Sequence, residues 1–212
     1  IDAVELNPQI VKIVTKDQKN YTNNFFSQSN IRIHTKEARS FIRGQKETWD
    51  IIQLSLFDSL TAANAGVFAL KENNLYTVEA FRDYMGHLNP GGFLTITRWL
   101  KVPPKDSLKL LATAVSALES DSKIIPHQQI VFIRSWNTTT LLIKNGKFTE
   151  KEIKKIKSFT EERSFDLVFY PGISVEETNK FNRLDKPYFY SAAISLLNKD
   201  KEKFFKNYKT QS

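Results

Sequence analysis

Cysteine is absent from the 212 residues. That excludes disulfides and cysteine-ligated zinc and leaves the redox compartment open. No apolar run approaches the roughly 18 residues that a bilayer-spanning helix needs, so a transmembrane helix is not expected in these residues. No signal-peptide pattern is visible, although an incomplete N-terminus would hide one. His34, His87 and His127 are far apart and show no H-x-x-x-H spacing, so no metal is expected. G-x-S-x-G, the P-loop and H-E-x-x-H are also missing, as are internal repeats and low-complexity segments.

What is present has the composition of an ordinary globular chain, with 41% hydrophobic and 25% charged residues and sixteen Phe to build an aromatic core. The net charge of +8 is uneven: residues 1–143 carry 16 Lys+Arg against 13 acids, and residues 144–212 carry 15 against 10. The basic excess sits in "KEIKKIKSF" and "KDKEKFFKNYK". Acids are interleaved there, which favours a solvated helix face over a nucleic-acid or membrane contact. A nucleic-acid partner is therefore not expected.

The pattern along the chain alternates. "IDAVE" reads as a strand, then Asn7 caps a helix with Pro8 in its first turn and Ile10, Val11, Ile13 and Val14 on its apolar face. "NNFFSQS" is a loop, "IRIHT" a strand, and "KEARSFIRG" a helical turn ending in Gly44. "WDIIQLSLF" is apolar on both faces, as central parallel strands are. "DSLTAANAG" is a loop. "LYTVEAFRDYMGHL" is an amphipathic helix, "NPGG" a turn and "FLTITRWL" a strand. A helix follows after Pro103 and Pro104. "QQIVFIRS" and "TTLLIKN" read as an antiparallel pair joined by "WNT". Thr149 then caps a helix, "FDLVFYPG" is a short strand, and "SVEETNKFNRL" and "YFYSAAISLLNKDKEKFFKNYK" read as helices. Alternation of this kind predicts an α/β fold with a mostly parallel sheet closed by an antiparallel hairpin. The expected domains are 1–146 and a helical extension, 147–212, packed on it.

Three patterns carry a resemblance. "AVELNP" puts Glu5 at a strand end. "IHTKEARSFIR" puts Glu37 after the next strand. "WDIIQLSLFDSL…LYTVEAFRDYMGHLNPGGFLTITRW" is a strand, a loop, a helix, L-x-P-G-G and a strand. In this order they resemble the Rossmann-like S-adenosylmethionine-dependent methyltransferases, and within them the spermidine synthase-like branch. The resemblance implies S-adenosylmethionine or its decarboxylated form as co-substrate and a small-molecule amine or other acceptor. It also implies a cytoplasmic location, with the chain as the cytoplasmic part of a membrane-associated protein as the variant, and it allows a homodimer. Relatives place a first strand and a glycine-rich turn ahead of a strand like "IDAVE", so Ile1 is expected to open the second strand of a domain truncated at its N-terminus.

The resemblance also distributes roles. Glu5 is expected to accept the ribose hydroxyls and Glu37 the adenine amino group. Aminopropyl-transferring relatives end the strand equivalent to "WDIIQLS" in an aspartate that deprotonates the amine; here that position is Ser55. Ser55 joins Glu5 and Glu37 as a cofactor-side candidate, Asp58 is the remaining acid for catalysis, and Tyr76 is expected to face the substrate. Asp50 is expected to orient the loop. Glu72, Asn73 and Asn74 are helix caps or amine contacts, and Arg98 and Trp99 lie where a ligand would pass. Ser55 leaves methyl transfer and aminopropyl transfer both open. Two other classes stand beside them: a non-catalytic binding module with the same sheet, and a nucleic-acid methyltransferase using the basic C-terminal third.

Overall fold

The computed structural model describes residues 1–56, 74–100 and 105–197. The chain forms two compact units, residues 1–47 and 48–212. In the first unit, β1 (Asp2–Glu5) and β2 (Arg32–Thr35) pair in parallel, with Glu5 opposite Thr35. Helix α1 (Pro8–Lys12) follows β1, and α2 (Ala38–Arg43) follows β2. The Asn7 side chain accepts the Gln9 N–H at 2.9 Å, and Pro8 fills the first turn, where its missing N–H loses no helical bond. A π-helical turn, Ile13–Asp17, continues α1. The apolar face expected on this helix is only partly buried, since Ile10 and Ile13 are exposed. Side chains reinforce the strand pair. Asp2 accepts both arms of the Arg32 fork at 2.8 Å and lies 2.8 Å from His34 Nε2.

The second unit is built on a five-stranded sheet of order β3-β4-β6-β5-β7. The strands are β3 (Trp49–Leu54), β4 (Leu88–Trp99), β5 (Ile130–Arg134), β6 (Thr138–Lys144) and β7 (Asp166–Phe169). β3 and β4 are parallel; the β5–β6 hairpin is antiparallel and inserts β6 between β4 and β5. β7 pairs antiparallel with β5. Thus β3, β4 and β5 run one way and β6 and β7 the other. The α/β class and the antiparallel hairpin are as expected; the parallel pairs are β1–β2 and β3–β4, the other pairings of the five-stranded sheet are antiparallel, and the region after residue 146 adds an edge strand to it.

The strand register lines up the core. One row crosses the sheet as Ile52, Leu94, Ile143 and Ile130. The next crosses as Leu54, Ile96, Leu141, Phe132 and Phe169. All nine are buried. Helices α3 (Val78–Gly86), α4 (Lys105–Leu118) and α6 (Tyr188–Leu197) form a continuous layer, α3 against α4 and α4 against α6. Their core faces are Ala80, Phe81 and Tyr84; Leu108, Leu111 and Val115; and Phe189, Ala192, Ala193 and Leu196. These recur at helical spacing, which is what made the helices legible. Helix α5 (Glu150–Glu162) starts with a Thr149–Glu152 capping box and packs on β7. Glu152 also takes a salt bridge from the buried Lys144 at 2.7 Å, fixing the helix start to the end of β6.

Two expectations are corrected. "NPGG" is not a turn ahead of the strand but a bulge within β4. Trp49 pairs with Leu88 and Ile51 with Phe93, so Asp50 alone faces residues 89–92. Gly91 sits at φ +82°, and a Cβ on Gly92 would lie 2.9 Å from the carbonyl oxygens of both Asn89 and Asp50. Backbone this close leaves room only for hydrogen. Second, "SVEETNKFNRL" is not a helix. It makes one 3-10 turn, Val175–Glu177, and stops at an extended Thr178 and a left-handed Asn179. The competitor is the buried Asp166, whose carboxylate accepts the N–H groups of Lys180, Phe181 and Asn182 at 2.6–2.9 Å. Those donors are satisfied without a helix.

Gly92→Ala is expected to destabilise the chain by about 1–3 kcal/mol, because its new contacts are rigid backbone. Gly86→Ala, where a Cβ meets nothing within 4 Å, should be neutral or stabilising. Urea unfolding of the two variants side by side checks this. Asp166→Ala strands a buried Arg134, and is expected to cost about 3–5 kcal/mol in the same assay.

Candidate functional site

Parallel strands end in backbone N–H and C=O groups at their carboxyl edge, and loops leaving that edge carry ligand-binding side chains in open α/β sheets. In the first unit that edge carries two acids. Glu5 is the last residue of β1, half-buried, and accepts the Asn7 N–H at 2.7 Å. Glu37 lies two residues beyond β2 and is the N-cap of α2, accepting Arg39 N–H at 2.9 Å and Ser40 N–H at 2.7 Å, one on each oxygen. Partial burial opposes ionisation of Glu37, but the hydrogen bonds from Ser40 and Arg39 outweigh it and hold the carboxyl below its ordinary range. A carboxylate offers about four lone-pair sites, so capping leaves capacity for a hydroxyl or amino donor. His34 lies away from this pair, on Asp2.

The second unit presents a different edge. Ser55 is the first residue past β3, exposed, with Gln53 Nε2 donating to its hydroxyl at 3.3 Å. Arg98 is the penultimate residue of β4, two beyond Ile96, which pairs with Leu54. Tyr76 closes the 3-10 turn Asn74–Tyr76 that leads into α3. The Arg98 guanidinium lies over the Tyr76 ring, 4.3 Å from its centroid. The turn is anchored twice: the fully buried Tyr84 donates its hydroxyl to Leu75 O at 3.1 Å, and Thr77 caps α3 through Ala80 N–H. The sequence signal for Arg98 was its place at a strand end; the stack on Tyr76 had none.

Asp58, Glu72 and Asn73 lie outside the described residues. Asp50 is at the opposite end of β3, where it accepts Asn89 Nδ2–H at 2.9 Å and so braces the bulge. His87 meets Asp83 O through Nδ1. Among the described residues no group of three His, Asp or Glu side chains could hold a metal ion.

One cluster was not anticipated. Tyr170 donates to Glu177 at 2.6 Å, and Lys157 donates to both. Burial first, and then the bond to Glu177, push the Tyr170 hydroxyl above its ordinary range, so it stays a proton donor. This cluster clasps α5 to the turn after β7. It borders a hollow of about 730 Å³ lined by Phe148, Ile153, Lys154, Lys157 and Pro171, which none of the expected site residues line.

No protein-family description matches the chain, and no curated protein matches it in sequence. In structure it is similar to a probable spermidine synthase from Corynebacterium glutamicum ATCC 13032, with TM-score 0.55 and 16% identity over 76% of this chain and 53% of that one. The chain has the Rossmann-like fold of that protein. It spans about half of that protein's length. Weaker likenesses are to human methyltransferase-like protein 13 in complex with SAH (TM-score 0.45, 14% identity, 76% of this chain and 69% of that one) and to spermidine synthase from Thermotoga maritima (0.42, 16%, 96% and 59%). At such identities the likeness speaks of fold alone, and the two weaker ones add no weight to it.

Glu37 generates a pH prediction. A carboxylate whose folded pKa is depressed contributes stability that is complete above its unfolded value and is lost as pH falls through the folded value. Glu37→Gln keeps one acceptor and loses the charge. It is expected to cost about 0.5–1 kcal/mol at neutral pH, and the deficit should shrink as pH falls below about 4. Thermal melts of both proteins between neutral and acid pH check this.

Proposed function

We propose that the chain is a group-transferase domain that takes S-adenosylmethionine or its decarboxylated form as co-substrate. The observation that carries this reading is the pair of acids, Glu5 and Glu37, leaving the carboxyl edge of two parallel-paired strands in a chain with a Rossmann-like fold. The acceptor set fits a nucleoside: carboxylate oxygens suit ribose hydroxyls and an adenine amino group, and both acids are held in place by backbone N–H groups before any ligand arrives. The co-substrate would supply a carbon attached to positively charged sulfur, open to displacement.

The protein's own contribution is orientation and proton removal. An attacking amine must be neutral, because an ammonium has no lone pair. Ser55 cannot accept that proton at neutral pH unaided. In this reading the proton goes to Asp58, assigned on its place in the sequence alone, and Tyr76 bounds the acceptor. Methyl and aminopropyl transfer differ in which sulfur-bound carbon the acceptor attacks, with sulfur leaving in both, so the form of the co-substrate decides between them.

Calorimetric titration of both forms into the full-length protein tests this. One form is expected to bind, and Glu5→Ala to weaken it about tenfold or more, the worth of hydrogen bonds to a charged group. Binding of neither form would sink the reading and leave a non-catalytic module with this fold.

A further inference from the structure

Asn145 and Gly146 form the sequence's one Asn-Gly pair, and they stand where β6 ends beside the bulge of β4. In such a pair the side-chain amide is open to attack by the next backbone nitrogen, because glycine puts no Cβ in the way. Here both partners in that reaction are tied down. The Asn145 side chain donates from Nδ2 to Leu88 O at 2.9 Å and to Asn89 O at 3.3 Å. Its backbone N–H donates to Gly92 O at 2.8 Å, and its C=O accepts the Gly91 N–H at 2.7 Å. The Gly146 N–H is turned back onto Lys144 O at 2.9 Å. To meet, the side chain must leave both carbonyls and the Gly146 nitrogen must leave Lys144. All of these contacts but the last end on residues 88–92, so the reaction waits on an opening of the bulge.

We propose that Asn145 is a modification site, converted to aspartate or isoaspartate in chains whose β4 bulge has opened, and that the conversion opposes reclosure. The Gly146 nitrogen bonds to Asn145 Cγ, the Cγ–Nδ2 bond breaks, and ammonia leaves with the proton that Gly146 gives up. Water then opens the five-membered ring at either carbonyl, which leaves aspartate or isoaspartate. The new carboxylate sets acceptor against acceptor at Leu88 O and Asn89 O, where two hydrogen bonds are lost. Isoaspartate also lengthens the main chain by a carbon at the residue that exchanges hydrogen bonds with Gly91 and Gly92. A folded chain keeps its amide, and a chain that has opened is marked. None of this rests on the transferase reading.

The test incubates the full-length protein at mildly alkaline pH and follows the proteolytic fragment holding Asn145 by mass spectrometry, beside a synthetic peptide of residues 141–149. The folded protein is expected to convert at least about tenfold more slowly than the peptide. Gly92→Ala, whose Cβ would press on Asn89 O and Asp50 O, should speed conversion about fivefold or more. Thr77→Ala, which removes the cap at the far end of α3 and leaves the bulge contacts in place, should not. Circular-dichroism melts identify a variant that fails to fold. Asp50→Ala, which takes away the acceptor of Asn89 Nδ2–H, replaces Gly92→Ala if that is the one. Asn145→Asp, the product itself, should unfold at a lower urea concentration than the parent at neutral pH. Conversion of the folded protein as fast as the peptide, no acceleration by the bulge variant, equal acceleration by Thr77→Ala, or an Asn145→Asp protein as stable as the parent overturns the proposal.

Discussion

The second unit depends on one buried carboxylate. Asp166 opens β7, and its two oxygens collect Arg134 from β5 and three consecutive backbone N–H groups from the loop 180–182. Taking a carboxylate and a guanidinium out of water is costly, and the cost is met only where every remaining lone pair and proton finds a partner. Here Arg134 also donates to Asn179 Oδ1 and to Asn182 O, and Asn179 in turn accepts the Leu184 N–H. Burial works to lower the Arg134 pKa, and Asp166 works against it. The network turns the chain from β7 toward α6 and so sets where Phe189, Ala192 and Leu196 meet the sheet. A hydrophobic core alone would accept several entry angles for that helix; the directional bonds admit few.

β4 is the other organising element. It alone joins the parallel part of the sheet to the antiparallel hairpin, so its register fixes both. The bulge at 89–92 sets that register at its start: Gly91 supplies the left-handed turn, Gly92 the close approach to Trp49 and Asp50, and Asn145 closes the far side by exchanging hydrogen bonds with Gly91 and Gly92. From there Leu94 and Ile96 fall into the core rows, and Arg98 is delivered to the carboxyl edge by the same period of two. A shift by one residue would send Leu94 to the open face and Arg98 with it.

What could be read from the sequence follows from what is local. The caps at Asn7 and Thr149, the apolar periods of α3 and α4, and the hairpin at 130–144 all rest on residues near one another in the chain, and all are found where the pattern puts them. The bulge and the 178–184 loop were misread because their determinants are distant. Gly92 answers to the backbone of Asp50, and the would-be helix loses to Asp166, 14 residues before the first of the N–H groups it captures. At the site the division is the same. That Glu5 and Glu37 follow strands was legible. That Glu37 would spend both oxygens on its own helix, or that Arg98 would stack on a tyrosine from another element, was not.

Those commitments bear on chemistry. A carboxylate that already caps a helix cannot swing to meet a ligand, so it recognises only donors arriving where its unused lone pairs point. A guanidinium stacked on an anchored ring is constrained likewise. In both cases the orienting entropy is spent in folding, so it would not have to be spent again in any contact these groups make.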